Sequence, residues 1–126
     1  MSVFEKKGES NNLSLERMLH LLKGFGFSRV EAEVYVYLAK KGPTKAKDLK
    51  IELRMTKQQL YPALKDLKKK RVVNSRPERD TLLWVVTLEE LLNRYVKTNL
   101  EQAESLQETK EELLANWRNM DKQYNA

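Results

Sequence analysis

The 126-residue chain contains no cysteine, a single histidine (His20), three prolines and four glycines. Without cysteine there is no disulfide framework, no thiolate zinc site and no cysteine nucleophile, and one histidine removes histidine-rich metal sites. No run of about 18 apolar residues is present, and the N-terminal MSVFEKKGESNN is charged and polar where a signal peptide has an apolar centre. Neither membrane insertion nor secretion is expected, and a cytoplasmic location is. His20 lies among leucines with Glu16 four residues earlier, which offers it a hydrogen-bond partner but no third member of a catalytic set. There is also no phosphate-binding glycine loop and no metal-ligand cluster, so the sequence predicts neither an enzyme nor a cofactor.

Charge, in contrast, is abundant and unevenly placed. The formal charge is +6, and residues 44 to 80 hold 12 Lys and Arg against 5 Asp and Glu, whereas residues 88 to 126 hold 5 against 8. A basic module on a neutral or acidic remainder is the footprint of a polyanion binder, because displacing counterions from phosphates favours association. The same charge also suits a lysine-rich solvated surface.

The pattern of apolar residues gives the order of elements. Residues 1 to 12 lack periodicity and are expected to form a flexible arm, ending in the helix-start residues Ser10, Asn11 and Asn12. Leu13, Leu15, Met18, Leu19, Leu21 and Leu22 then recur at helical spacing, and Gly24 or Gly26 should end that first helix. Ser28 with Glu31 forms a capping box for a second helix, which Gly42 and Pro43 close. Ala46, Leu49, Ile51 and Leu53 mark a short third helix, and the turn Arg54, Met55 leads to Thr56, which caps a fourth. In that fourth helix Leu60, Ala63, Leu64 and Leu67 share one face, while Lys57, Gln58, Tyr61, Pro62, Lys65, Lys68 and Lys69 take the other. Lysines at its end also complement the helix dipole.

From Val72 the pattern becomes that of strands. The runs 72 to 76 and 81 to 86 flank the polar turn Pro77, Glu78, Arg79, Asp80 and read as a hairpin. Thr87 with Glu90 opens the longest periodic stretch, which holds helical spacing for over thirty residues without Gly or Pro. Such a helix would be about 50 Å long. A domain of this size cannot cover it, so its far half is expected to need another chain, through Leu92, Tyr95, Val96, Asn99, Ala103, Leu106, Leu113, Trp117 and Met120. Trp117 and Tyr124 read as interface residues rather than ligand-stacking groups. Leu92, Asn99, Leu106, Leu113 and Met120 form one heptad position; its companion Gln102, Thr109, Asn116 is polar, and the strand direction stays open.

The predicted fold is therefore mainly α, a winged helix-turn-helix with a two-stranded β wing and a long C-terminal dimerisation helix. Its expected divisions are an arm (1 to 12), a DNA-binding domain (13 to 87) and a coiled-coil-like helix (88 to 126).

The segments GFSRVEAEVYVYL (26 to 38) and Gly42 to Val73 together resemble the N-terminal domain of the TrmB-like archaeal transcriptional regulators. The residues that carry the resemblance are Gly26, Ser28, Glu31, Ala32, Val34, Tyr35, Leu38, Gly42, Pro43 and Thr44. The segment Leu60 to Leu64 is also similar to the recognition helix of PadR-like repressors. Arg54 and Arg71 stand where such proteins commonly have glycine, so those turns must be built without it. The resemblance implies a dimeric winged-helix binder of double-stranded DNA. The chain stops after its long helix, so no small-molecule effector domain is expected.

The expected DNA-facing residues follow. Thr56, Lys57, Gln58, Gln59, Tyr61 and Lys65 occupy the first half of the fourth helix, where Gln can pair with adenine and Lys with guanine or phosphate. Arg76 and Arg79 sit near the hairpin tip, suited to the minor groove or its phosphates, and Lys45 and Lys47 lie near a helix start. Each set also has a plain reading as exposed, solubilising side chains. Two functions remain open: a sequence-specific transcriptional regulator acting as a homodimer, or an architectural or assembly protein that binds DNA without sequence preference or a partner through its long helix.

Overall fold

A computed structural model describes the backbone from residue 9 to residue 124 and the side chains from 14 to 120. Helix α1 (Glu9–Gly24) starts inside the stretch expected to be an arm; residues 1 to 8 of that arm lie outside the described residues. Leu19 and Leu22 form the buried side of α1. Helix α2 (Arg29–Lys41) carries the predicted capping box in full, with the Glu31 amide donating to Ser28 Oγ at 3.1 Å and the Ser28 amide donating to Glu31 Oε2 at 3.2 Å.

Helices α3 (Ala46–Leu53) and α4 (Lys57–Lys69) form the helix-turn-helix, and three helix ends in this unit share one closure. After α1 the Phe27 amide donates to Leu22 O and the Gly26 amide to Lys23 O. After α3 the Met55 amide reaches Lys50 O and the Arg54 amide Ile51 O. After α4 the Val72 amide reaches Leu67 O and the Arg71 amide Lys68 O. This is the Schellman pairing, which needs a left-handed residue after the helix so that the next residue can turn back toward the core. Gly26 takes it at φ 94°, while Arg54 and Arg71 take it at φ 53° and 61°. The residues that follow, Phe27, Met55 and Val72, are all buried. The two arginines thus keep the glycine-like backbone that the sequence suggested they would have to do without.

The wing is larger than the expected hairpin. Strands β2 (Val73–Arg76) and β3 (Leu82–Val85) pair antiparallel, and a third strand, β1 (Thr44–Lys45), adds to the free edge of β3 in the order β1-β3-β2. Leu83 is buried between Thr44 and Ser75, so by strand alternation Lys45, Leu82 and Arg76 share the opposite face. Tyr35 Oη donates to Val86 O at 3.0 Å and ties α2 to the end of β3.

The core of this unit comes from α1, α2, α3, α4, the sheet and Leu91. Ile51, read as one of the apolar marks of α3, is instead 64% exposed.

The last helix, α5 (Leu88–Tyr124), runs 37 residues, and the Glu90 amide donates to Thr87 Oγ1 at its start. The chain divides into two compact units, residues 1 to 91 and 92 to 126. In the second unit every side chain from 96 to 120 is exposed, among them Val96, Leu100, Leu106, Leu113, Leu114, Trp117 and Met120. The Tyr124 side chain lies outside the described residues.

Candidate nucleic-acid interface

Helix α4 is oriented by its buried face. Leu60, Ala63, Leu64 and Leu67 are packed inward, and at 100° per residue Gln58, Pro62, Lys65 and Lys69 lie diametrically opposite. Lys57, Tyr61 and Lys68 occupy one flank of that outward face; Gln59 and Asp66 occupy the other. All nine of these residues are exposed, and Tyr61 is half accessible to solvent.

The start of the helix is fixed by a second capping box. The Gln59 amide donates to Thr56 Oγ1 at 3.2 Å, and the Thr56 amide donates to Gln59 Oε1 at 2.9 Å. Thr56 and Gln59, both expected at the DNA surface, therefore serve first to shape the helix end. The first turn holds Lys57 and no acidic residue. A cation beside the positive end of a helix dipole is unfavourable by about 0.3–1 kcal/mol in isolation. An anion bound at that end removes the penalty.

Four of the five acidic side chains of the basic module are placed away from this face. Asp48 and Glu52 lie near Tyr37, whose hydroxyl is raised above its ordinary value first by burial and then by those two carboxylates. Glu78 Oε1 accepts from Arg76 at 2.7 and 3.0 Å, and Asp80 Oδ2 lies 4.0 Å from Lys47 Nζ. Asp66 is on the Gln59 flank. Lys57 and Lys65 thus face solvent without an ion pair among the described residues, on the side where Gln58 and Tyr61 are displayed.

The sheet brings a second group of predicted residues together. Lys45 and Arg76 both pair with Leu82, one from each side, which sets them about 10 Å apart across two strand spacings. The Ala46 amide donates to Thr81 O at 2.9 Å, so the start of α3 is bonded directly to the wing. Arg76 is engaged by Glu78 within the wing, Lys47 is loosely held by Asp80, and Arg79 at the tip has no partner among the described residues. Arg54 was not among the expected contacts. It is exposed in the turn two residues before the Thr56 cap, and its position in the helix turn was the signal that could have identified it.

Among the described residues no three His, Asp or Glu side chains are grouped to hold a metal ion, and no helix is long and apolar enough to cross a membrane.

Residues 22 to 96 match the family model described as the sugar-specific transcriptional regulator TrmB. No curated protein sequence is significantly similar to the chain. Among solved structures, TrmBL2, described as an archaeal chromatin protein with a novel mode of DNA binding, superposes with a TM-score of 0.71 at 21% identity. The match covers 85% of this chain and 43% of that one, so the chain spans less than half of its length. A point mutant of MepR from S. aureus superposes with a TM-score of 0.51 at 17% identity, covering 90% of this chain and 91% of that one. Both are similar in fold.

Proposed function

The chain belongs to the TrmB family of transcriptional regulators, and on that premise we propose that it binds double-stranded DNA as a homodimer. In this reading α4 enters the major groove, the wing lies at the adjacent minor groove or backbone, and α5 joins two copies. The observation that carries the reading is the outward face of α4. Lys57, Gln58, Tyr61 and Lys65 are exposed there, opposite four buried residues, with Asp66 on the far flank and the module's other carboxylates held elsewhere.

The division of labour follows from the chemistry of each side chain. Gln58 at the centre of the face can pair bidentately with adenine, and Lys65 one and a half to two turns later can reach guanine or phosphate. Tyr61 offers an apolar ring with a hydroxyl. Lys57 and the free amides of the first turn suit a phosphate. Thr56 and Gln59 fix the helix start from which the others project. Lys45, Lys47, Arg76 and Arg79 supply the flanking positive charge, Lys45 and Arg79 without an ion pair among the described residues. In α5, Leu92, Tyr95, Val96, Asn99, Ala103, Leu106, Leu113, Trp117 and Met120 form the dimer contact.

The second reading, an architectural protein that binds DNA without sequence preference, is favoured by the likeness to a chromatin protein. Parallel measurement of Gln58→Ala and Lys65→Ala on a panel of single-base variants of a selected site separates the two. Relaxation at one base position supports readout through α4. Uniform weakening on every sequence supports the architectural reading.

A further inference from the structure

The exposed stripe of α5 contains a stricter seam than the one built on Gln102, Thr109 and Asn116. Leu92, Asn99, Leu106, Leu113 and Met120 alternate at spacings of four and three with Val96, Ala103, Lys110 and Trp117. All of these from Val96 to Met120 are exposed. This is an unbroken a/d heptad pattern with two polar positions, Asn99 and Lys110.

Lys110 is the informative residue. At the positions three and four away on its own helix it has Gln107, Leu106, Leu113 and Leu114. It has no carboxylate at the spacing where helical ion pairs form, and it has no ion pair among the described residues. The positions flanking the seam from Asn93 to Asn116, namely Asn93, Tyr95, Leu100, Gln102, Gln107, Thr109, Leu114 and Asn116, are also uncharged, and Asp121 beyond them is the one acidic residue beside the seam. Charges beside the seam, the usual device for setting orientation, are therefore missing between residues 93 and 116, and over that length direction and register fall to the two polar seam residues.

The two directions place those residues differently. In a parallel pair each layer meets its own copy, so Lys110 faces Lys110 and Trp117 faces Trp117 inside the contact. In an antiparallel pair the two positions alternate across the seam, and one register sets Asn99 opposite Lys110. That same register places Ala103 against Leu106, Val96 against Leu113 and Leu92 against Trp117. A shift of one heptad either way sets Lys110 against Leu106 or Leu92 and leaves Asn99 against Trp117 or Ala103. The carboxamide oxygen of Asn99 accepts from an ammonium, so among the antiparallel registers the matched layer alone satisfies both polar groups, while a parallel pair lets Asn99 meet Asn99 but sets the two Lys110 ammoniums against each other.

We infer that α5 pairs antiparallel with a second copy about a two-fold axis between residues 104 and 105, with Asn99 of each helix bonded to Lys110 of the other. This rests on the homodimer reading above and gives it a geometry. The Leu91 positions of the two copies then lie about 40 Å apart along the helix pair.

The absence of cysteine makes the test direct. Val96→Cys and Leu113→Cys are made as separate full-length chains and oxidised alone and as a mixture. The antiparallel register predicts a disulfide-linked heterodimer in the mixture and none from either variant alone, since two Val96 positions would be about 25 Å apart. Self-linking of Val96→Cys would overturn the inference while leaving the homodimer intact. Failure to link in the mixture, with the parent chain a dimer by sedimentation, would do the same. A monomer at micromolar concentration would remove both readings. A second measurement is a cycle with Asn99→Leu and Lys110→Leu. Each single change should weaken the dimer more than the double change does, whereas effects that simply add would contradict the shared layer.

Discussion

Lys70 Nζ lies 2.8 Å from Glu31 Oε1 and 5.8 Å from the centre of the Phe27 ring, fastening the residue after α4 to the first turn of α2. Glu31 is almost fully buried, at 5% exposure. It also accepts the Ser28 amide, so one carboxylate serves both the cap of α2 and the seat of α4. A charge in that position is tolerable only while its partners are present. Lys70, one of the lysines that complement the dipole at the end of α4, is thus also engaged by a carboxylate 39 residues away.

Lys70→Met should therefore destabilise the fold by about 2–3 kcal/mol at neutral pH, because it leaves Glu31 charged and unpaired. Burial pushes the Glu31 carboxyl up. The hydrogen bonds from Lys70 and Ser28 and the charge on Lys70 outweigh that, and its pKa is lowered overall. A lowered carboxylate contributes stability that is fully present above its unfolded value and lost as pH falls through its folded value. The difference between the parent chain and Lys70→Met should shrink as pH drops through and below the ordinary carboxylate range. Urea denaturation at neutral and acid pH checks both the size and the trend.

Arg54 occupies a left-handed position that its Cβ makes costly. The conformation costs a non-glycine residue about 1–2 kcal/mol, and glycine returns about 0.5–1 of that through its freer unfolded chain. Arg54→Gly should stabilise the fold by about 0.5–1 kcal/mol, read as a raised denaturation midpoint. If Arg54 contacts a phosphate, the same variant should bind DNA more weakly, with a shallower salt dependence.

At the wing, Glu78 competes with DNA for Arg76. Glu78→Gln should strengthen binding on all sequences alike and steepen the dependence of log K on log salt. Arg79→Ala should weaken binding and reduce that slope by about 1. Titrations at several salt concentrations distinguish these shifts from unfolding, which would abolish binding altogether.

Local signals made most of the fold legible. The capping box at Ser28 and the cap at Thr56 are local, and the apolar spacing of α4 names the residues that it buries. What escaped has distant or backbone causes. Strand β1 is two residues long, too short for any periodicity, and exists because β3 offers it an edge. Arg54 and Arg71 are left-handed because Met55 and Val72 must turn inward, which no propensity of arginine predicts. Ile51 looked like a core residue because apolar type was read as burial. At the candidate site, Lys57, Gln58, Tyr61 and Lys65 could be named from the helical repeat. Gln59 stands three residues after Thr56, which is the spacing of a capping box, whereas the engagement of Arg76 by Glu78 depends on a pairing that spacing does not specify.

The central claim is that the outward face of α4 reads DNA sequence. Its most direct test is competition between a duplex selected from a random pool and bulk genomic DNA at moderate salt. Sequence readout predicts that the selected duplex holds the protein at least about 10³-fold more tightly, and that Gln58→Ala narrows this ratio. Equal affinity for both DNAs, unchanged by Gln58→Ala, would contradict it.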